Sequence, residues 1–250
     1  MYFKLIKKII NALGYKLIEK NFIKNERLIK EKTFFKLEKF LENLFLSHNI
    51  NTIIQIGAND GVRFDSLNKE IKKHMPKVIL VEPIKSNFEE LKINYNNFQK
   101  NIFFENSAIS VDNEINYLYK VKQSALNKYD EHIIGITSFN KSHLIKHGVK
   151  KRHIITEKIS PISITHLLKK YKINQFDLLL IDAEGYDGKI LNDFLDNCKI
   201  RPFIIFEYIH IEHSILQKVL TNLTEKKYLF FRIDENVISF PIEKKLNSIF

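Results

Sequence analysis

A glycine-rich turn is the first segment whose residue types and spacing could bind a ligand. Gly57-Ala58-Asn59-Asp60-Gly61 follows the apolar run Thr52–Ile56, and Glu82 lies 21 residues after Gly61. Glycine has no Cβ, so the backbone can approach a ligand closely, and an acid at this spacing can accept hydrogen bonds from both ribose hydroxyls. The turn lacks the G-x-G-x-x-G spacing that seats a pyrophosphate. It therefore predicts a site for an adenosine-bearing ligand without phosphate.

A second cluster of carboxylates and glycines follows another apolar run. Asp182-Ala183-Glu184-Gly185 comes directly after Asp177–Ile181, and Asp187-Gly188 follow it. Ligands of open α/β sheets bind at the carboxyl ends of the strands. Placing a carboxylate there costs desolvation free energy, which favours a functional role. Capping of the next helix by Asp182 or Glu184 is the alternative, and the two roles are compatible.

The elements that must position these residues alternate between strand-like and helix-like patterns. Short apolar runs predict buried strands at 52–56, 77–81, 102–109, 177–181 and 203–206, with further strands at 114–121, 228–233 and 236–240. Helices are predicted at 64–75, 86–97, 165–171 and 187–197, with one more before residue 228. This alternation predicts an α/β fold with a mostly parallel central sheet and helices on both faces.

The N-terminal part differs from the rest of the chain in its sequence pattern and its charge. Residues 1–50 hold eleven Lys and Arg against five Glu, a net of +6 within a total of +11. Two helices are expected, over about 3–17 and 26–47, so we predict a helical extension at 1–49, a main domain at 50–250, and an irregular insertion at 122–160. The basic helix at 1–20 has two interpretations. It lies on a membrane surface, or it packs on the sheet as a cap.

Composition limits the cellular setting. The single cysteine, Cys198, excludes an intramolecular disulfide. No apolar run approaches the roughly 20 residues that span a bilayer, and the N-terminus does not resemble a signal peptide. We therefore expect a cytoplasmic location, with peripheral contact at the inner face of the membrane if residues 1–20 bind lipid.

Taken together, the motifs resemble the FkbM-type methyltransferases. The resemblance rests on Ile54–Gly61 and Ile181–Gly185, with Glu82-Pro83, Ala108-Ile109-Ser110 and Glu207, and it covers about residues 50–240. It implies a Rossmann-like class I methyltransferase fold with S-adenosylmethionine as cofactor. It also implies methylation of a hydroxyl on a sugar, glycan, glycolipid or secondary metabolite. One departure is Gln55, where the family often has Asp; glutamine can still bond the cofactor's amino acid moiety, without charge.

The resemblance and the motifs together assign expected roles. The residues expected to bind the cofactor are Gln55, Gly57, Asn59, Asp60, Gly61, Glu82, Pro83, Asn106, Ser107, Ala108 and Asp182. A sugar hydroxyl is a poor nucleophile at neutral pH, and the candidate bases are Asp182, Glu184 and His210. The residues expected to meet the acceptor are Arg63, Asp65, Ser138, Phe139 and His143. Segment 122–160 is expected to form a lid over the acceptor.

Other functions fit the sequence less well. The positive charge suggests a nucleic-acid methyltransferase, but there is no tryptophan and no Asn-Pro-Pro-aromatic motif near Asp182, so no specific nucleic-acid partner is expected. A membrane-surface protein with a degenerate fold is a second alternative, and a dinucleotide dehydrogenase is disfavoured by the glycine spacing. His143 and His147 have a spacing that can bind zinc. No cysteine or carboxylate is fixed beside them in the sequence, so no metal is expected.

Overall fold

The computed structural model of the protein describes residues 36–98, 100–111, 117–130, 133 and 135–244. The predicted helix at 3–17 and its membrane contact lie outside the described residues. So does the first part of the helix predicted at 26–47, which is described from Leu37.

Seven strands form the central sheet. They are β1 (Thr52–Ile56), β2 (Lys77–Val81), β3 (Ile102–Glu105), β8 (Leu178–Ile181), β9 (Phe203–Glu207), β10 (Tyr228–Ile233) and β11 (Asn236–Pro241). Their order is β10-β11-β9-β8-β1-β2-β3. The strands from β3 to β9 are parallel, and β11 is antiparallel to both β9 and β10. From β1 the chain first adds β2 and β3 on one side, and it later adds β8 and β9 on the other side of β1. This reversal of strand order creates a switch point between β1 and β8.

Helices cover both faces of this sheet. They are α1 (Leu37–Ser47), α2 (Asn68–His74), α3 (Lys85–Asn94), α4 (Lys141–Lys146), α5 (Ile164–Lys170), α6 (Asp187–Asn197) and α7 (His213–Glu225). One core contains buried residues of α5, α6 and α7, and the other contains buried residues of α1, α2 and α3. Because both faces are covered, the central strands are continuously apolar rather than alternating. The predicted α/β class is confirmed.

Helix α1 belongs to the core of the main domain. Leu41 and Leu44 are fully buried among residues of β1, β2 and β8. The compact unit therefore begins at Leu37, before the boundary predicted at residue 50, because the apolar stripe of α1 covers one face of the sheet.

The predicted third strand is divided in two. After Glu105 the backbone turns, and the separate strand β4 (Ala108–Ile109) pairs with β7 (Pro161–Ile162) instead of continuing the sheet. The strand predicted at 114–121 is described from Tyr117 as β5 (Tyr117–Val121), which pairs with β6 (Ile154–Lys158) in a two-stranded antiparallel sheet. The insertion at 122–160 is thus more regular than expected, since it contains α4, β6 and the 3₁₀ turns Gln123–Lys128 and Lys151–His153.

Among the described residues, none of the helices has the length and apolar character needed to cross a bilayer.

Candidate active site

The carboxyl ends of β1 and β8 touch at Gly57. The Asp182 N–H donates to the Ile56 carbonyl at 2.9 Å, and a Cβ on Gly57 would lie 1.8 Å from the Asp182 carbonyl oxygen. Gly57 has a φ of +83°, a conformation that L-residues with side chains rarely adopt. The first glycine of the turn thus lets the two motifs meet at the switch point, although they are separated by more than a hundred residues.

A cleft opens at this junction and contains about 640 Å³ of space, part of which is open to solvent. On one side, which we call the β2 side, it is lined by Asn59, Glu82, Pro83, Ser107 and Ala108. On the other, which we call the β8 side, it is lined by Phe139, Asp182, Ala183 and Glu184. Its lining also includes the apolar residues Ile56, Val81, Ile109, Leu118 and Ile190.

Glu82 is the buried carboxylate of the β2 side. Its Oε2 accepts the Asn59 N–H at 3.0 Å and its Oε1 accepts the Ile84 N–H at 2.8 Å. Burial raises the pKa of Glu82 to about 7, and repulsion from Glu157 and Asp182 adds to the rise, against the two backbone hydrogen bonds. Each carboxylate oxygen retains a lone pair beyond the backbone bond. The side chain is therefore fixed in orientation and able to accept ligand hydroxyls.

Several residues of the glycine turn have other partners. Asp60 is buried and accepts the N–H groups of Val62 and Arg63, while the Arg63 side chain bonds Asp60 and Glu90. Gly61 packs against α3, where a Cβ would lie 2.5 Å from Leu91. Asp60, Gly61 and Arg63 are not among the cleft-lining residues; here they stabilise the turn and its packing.

Gln55 and Asp65 form a pair on the opposite face of β1 from Ile54 and Ile56. The Gln55 amide donates to Asp65 Oδ1 at 3.1 Å, and the Leu67 N–H donates to the same oxygen. Burial raises the pKa of Asp65. Gln55 Oε1 and Asp65 Oδ2 are buried, and neither has a hydrogen-bond partner among the described residues. Both residues lie outside the cleft lining, so the structure does not bring them directly to the ligand space.

The segment after β3 divides between the cleft and the surface. Ser107 and Ala108 line the cleft, and Ser107 Oγ donates to Glu105 Oε1 at 2.6 Å. Asn106 points elsewhere, because its amide donates to the Glu82 and Pro83 carbonyls at 2.8 and 3.1 Å. Asn106 therefore holds the backbone of Glu82-Pro83 rather than lining the cleft.

The loop after β8 is held by Asp187. This fully buried carboxylate accepts the N–H groups of Ala183 and Gly185, both at 3.1 Å, and the loop passes through left-handed conformations at Glu184 and Gly185. Asp182 is exposed at the cleft, and desolvation by the surrounding protein, followed by repulsion from Glu184 and Asp65, raises its pKa to about 7. The N-cap residue of α6 is Tyr186 and makes no side-chain capping bond, so Asp187 fixes the loop before the helix rather than capping the helix.

The insertion supplies the remaining contacts of the β8 side. Phe139 lines the cleft and packs on the Tyr186 ring at 4.5 Å between centroids. Ser138 is buried and donates to the Glu184 carbonyl at 3.1 Å. His143 Nε2 lies 3.1 Å from Glu184 Oε2, and its ring contacts the His210 ring at 4.6 Å. Ser138 and His143 thus touch the lining residue Glu184 without lining the cleft themselves.

Some lining residues carried no signal in the sequence. Asn87, Leu118, Gly135 and Thr137 line the cleft, but they belong to α3, to β5 and to the insertion, and no motif contains them. Gly135 lies opposite the glycine turn, since a Cβ there would be 3.5 Å from Asn59 Nδ2. Only the way the insertion folds back onto the sheet brings Gly135 and Thr137 to the site.

Solved structures with a related fold share little sequence with this chain. A methyltransferase FkbM from Methylobacillus flagellatus KT is 13% identical, with a TM-score of 0.45 over 76% of this chain and 43% of its own. An O-methyltransferase from Bacillus cereus, in complex with SAH, is 10% identical, with a TM-score of 0.47 over 95% and 97% of the two chains. At this level the likeness carries no argument about activity. No curated protein sequence matches the chain.

The sequence itself is matched by a family model. The model for the methyltransferase FkbM domain covers residues 55–230, from β1 into β10, and so includes both strand-end motifs and the insertion between them. The matched segment is well over half of the chain. The protein therefore belongs to the FkbM methyltransferase family, and its cofactor is S-adenosylmethionine.

Proposed function

We propose that this methyltransferase transfers the methyl group to a hydroxyl oxygen of a sugar, a glycan or glycolipid, or a secondary metabolite. The observation that carries the proposal is the division of the cleft. Its β2 side holds a single buried carboxylate fixed by backbone N–H groups. Its β8 side brings Asp182 and Glu184, two candidate proton acceptors, to the same space.

The β2 side suits the nucleoside part of the cofactor. Glu82 would accept the ribose hydroxyls, and Asn59 would lie beside the same sugar. Ser107 and Ala108, with Pro83, would flank the adenine, whose faces are apolar and whose edges form hydrogen bonds. Asp182 would face the methionine end. When bound, S-adenosylmethionine supplies an electrophilic methyl group on a sulfonium.

Asp60, Gly61 and Asn106 would then act on the cofactor indirectly, by holding the turn and the Glu82-Pro83 backbone. Gln55 and Asp65 remain proposed neighbours of the cofactor's amino acid end. Their two unpartnered oxygens are acceptors that an ammonium group can satisfy.

The β8 side would orient the acceptor and take its proton. In the transfer an oxygen–carbon bond forms as the carbon–sulfur bond breaks, and the hydroxyl proton leaves to a protein carboxylate, to His210 or to water. Displacement at a sulfonium requires chiefly alignment of the three reacting atoms. Phe139 and Thr137 would pack against the acceptor, while Ser138 and His143 would position Glu184. Arg63, bonded to Asp60 and Glu90, is the least suited of the predicted acceptor contacts.

Labelled transfer tests the proposal. The protein is incubated with methyl-labelled S-adenosylmethionine and separate fractions of host glycans, lipids, small metabolites, RNA and protein. We expect label in a carbohydrate-containing or metabolite fraction, and mass spectrometry after mild hydrolysis should locate it as a methyl ether. Label found only on RNA or protein, or only on nitrogen, would refute hydroxyl methylation while leaving the family assignment intact. Membrane contact by residues 1–20 and the cytoplasmic location stay predictions, which vesicle co-sedimentation and cell fractionation can test.

A further inference from the structure

Three histidines from two distant parts of the chain meet beside the cleft. His143 and His147 lie on and directly after α4, and His210 lies in the turn after β9. Their ring centroids are 4.6, 4.6 and 4.9 Å apart. One ring nitrogen from each lies within 4.8 Å of the others. We call these three residues the histidine cluster.

Two carboxylates border the histidine cluster. Glu184 Oε2 lies 3.1 Å from His143 Nε2, and Glu207 Oε2 lies 3.9 Å from His210 Nε2. Glu184, Glu207 and His210 form a second group of ligand atoms within 4.8 Å of one another. The expectation of no metal depends on the lack of a carboxylate fixed beside His143 and His147 in the sequence. The fold removes that objection, because β8 and β9 deliver both carboxylates and the third histidine.

We propose that the histidine cluster binds a divalent transition-metal ion of the Zn²⁺ class. Imidazole nitrogens suit zinc, copper, iron and nickel, whereas Mg²⁺ and Ca²⁺ prefer oxygen ligands. Zinc–nitrogen bonds of roughly 2.0–2.1 Å in a tetrahedron require nitrogens about 3.3 Å apart. The rings must therefore approach by about 1.5 Å at most, which side-chain rotation can supply. Glu184 would orient His143, as carboxylates commonly orient metal-binding histidines.

The charge of the surroundings agrees with a cation. Neutral imidazoles carry no charge, and the Glu184 carboxylate beside His143 can offset part of the positive charge of the ion. His143 is 9% exposed, and the other two rings are half-buried, so an ion can enter from solvent.

The site also has a place in the reaction. Because Glu184 lines the cleft, an ion held by three histidines lies next to the β8 side, with a fourth coordination position open. A hydroxyl oxygen bound there becomes more acidic, as zinc-bound water does. This role depends on the proposed function, whereas metal binding itself does not.

Metal titration of the full chain tests the proposal. The purified protein is stripped with a chelator, dialysed, and titrated with Zn²⁺ by calorimetry and with Co²⁺ by visible absorption. We expect one equivalent of Zn²⁺ with micromolar or tighter affinity, the absorption bands of nitrogen-coordinated Co²⁺, and no competition from millimolar Mg²⁺ or Ca²⁺. His147→Ala and His210→Ala should each weaken Zn²⁺ binding at least about 100-fold, and Glu184→Gln about 10- to 100-fold.

Matched controls separate this site from surface binding and from misfolding. His166→Ala removes an exposed histidine on α5 and should leave Zn²⁺ affinity unchanged. His147→Ala should bind S-adenosylhomocysteine with the same affinity as the parent protein, and this result would show that the variant is folded. Absence of stoichiometric Zn²⁺ binding, or equal affinity in His147→Ala and the parent, would overturn the metal site. Zinc binding without affinity for S-adenosylhomocysteine would instead contradict the proposed function and leave the metal site standing.

Discussion

The β2 side and the β8 side of the cleft are built in different ways. The β2 side consists of three short segments that each follow a strand directly, at Gly57–Gly61, Glu82-Pro83 and Asn106–Ala108. The β8 side joins segments far apart in the chain, since His143 and Ser138 reach Glu184 across 41 and 46 residues. A ligand common to a whole family can be met by fixed backbone turns. In the proposed function, the insertion that folds over these turns contacts the acceptor.

The two sides also differ in whether backbone groups or side chains hold their carboxylates. Glu82 is held by backbone N–H groups of Asn59 and Ile84, so its position follows from the turns themselves. The Glu184 carboxylate is held by a side chain, His143. We therefore expect substitutions of Glu82 to change cofactor affinity, and substitutions of Glu184 to change turnover with little effect on cofactor affinity.

Gly57→Ala should give the largest effect, because it breaks the junction that both sides share. The new Cβ would lie 1.8 Å from the Asp182 carbonyl oxygen at a φ of +83°. Overpacking and left-handed strain together should cost about 3–5 kcal/mol of unfolding free energy, and binding of S-adenosylhomocysteine should be lost. Denaturant melts and calorimetry measure the two effects.

Gly148→Ala is the control for that substitution. Gly148 has a φ of +86°, yet no heavy atom of the described residues lies within 4 Å of the position that a Cβ would occupy there. It should therefore cost only the strain, about 1–2 kcal/mol. Equal losses in the two variants would show that the approach of β1 to β8 is not what Gly57 provides.

Glu184→Gln should separate the two sides. Removing the carboxylate should lower kcat by roughly 100-fold or more, while the dissociation constant for S-adenosylhomocysteine changes less than twofold. Glu225→Gln, at the exposed end of α7, makes the same change of charge away from the cleft and should leave both quantities unaltered. A parallel loss of cofactor affinity in Glu184→Gln would mean that Glu184 also contacts the cofactor.

Glu82→Gln should alter both cofactor affinity and the pH dependence of stability. The folded pKa of Glu82 is about 7 against an ordinary value of 4.5. Between these values the folded protein keeps a proton that the unfolded chain releases. Stability is therefore full below pH 4.5 and falls as pH rises through 7. The neutral variant lacks this loss, so from about pH 5 to pH 8 it should gain on the order of 1–3 kcal/mol relative to the parent.

The same variant should bind S-adenosylhomocysteine roughly 10- to 100-fold more weakly, since hydrogen bonds to a charged group are lost. Asp182 and Glu157 also face Glu82, and their repulsion raises its pKa as burial does. Glu105→Gln should change the pH dependence of stability in the opposite direction. Despite burial, the pKa of Glu105 is lowered, because Lys170, Ser107 and Tyr171 donate to its carboxylate. That variant should lose stability relative to the parent at any pH above about 4.5, the ordinary value, because the stabilised charge is then present. A gain in stability in both Glu82→Gln and Glu105→Gln would contradict the assignment.

The sequence predicts the sheet and the β2 side well because both depend on local patterns. Continuous apolar runs mark β1, β2, β8 and β9, and the turn and its acid follow directly. It does not predict that Asp60 caps the turn or that the backbone after Glu105 leaves the sheet, since both depend on packing. His210 meets His143 and His147 only after α4 and β9 are in place. Spacing along the chain cannot show such a meeting.

Asn106→Ala should give the smallest effect, and it tests whether the segment after β3 acts directly. The Asn106 amide holds the Glu82 and Pro83 carbonyls, so its loss should loosen their backbone by about 0.5–1 kcal/mol and weaken S-adenosylhomocysteine binding about two- to fivefold. Asn101→Ala removes a similar bond, to the Met75 carbonyl at 2.8 Å, and should not change affinity. Direct contact between Asn106 and adenine would produce a loss well above fivefold in calorimetry. That outcome would move Asn106 into the cleft and make the β2 side a set of side-chain contacts, as the β8 side is.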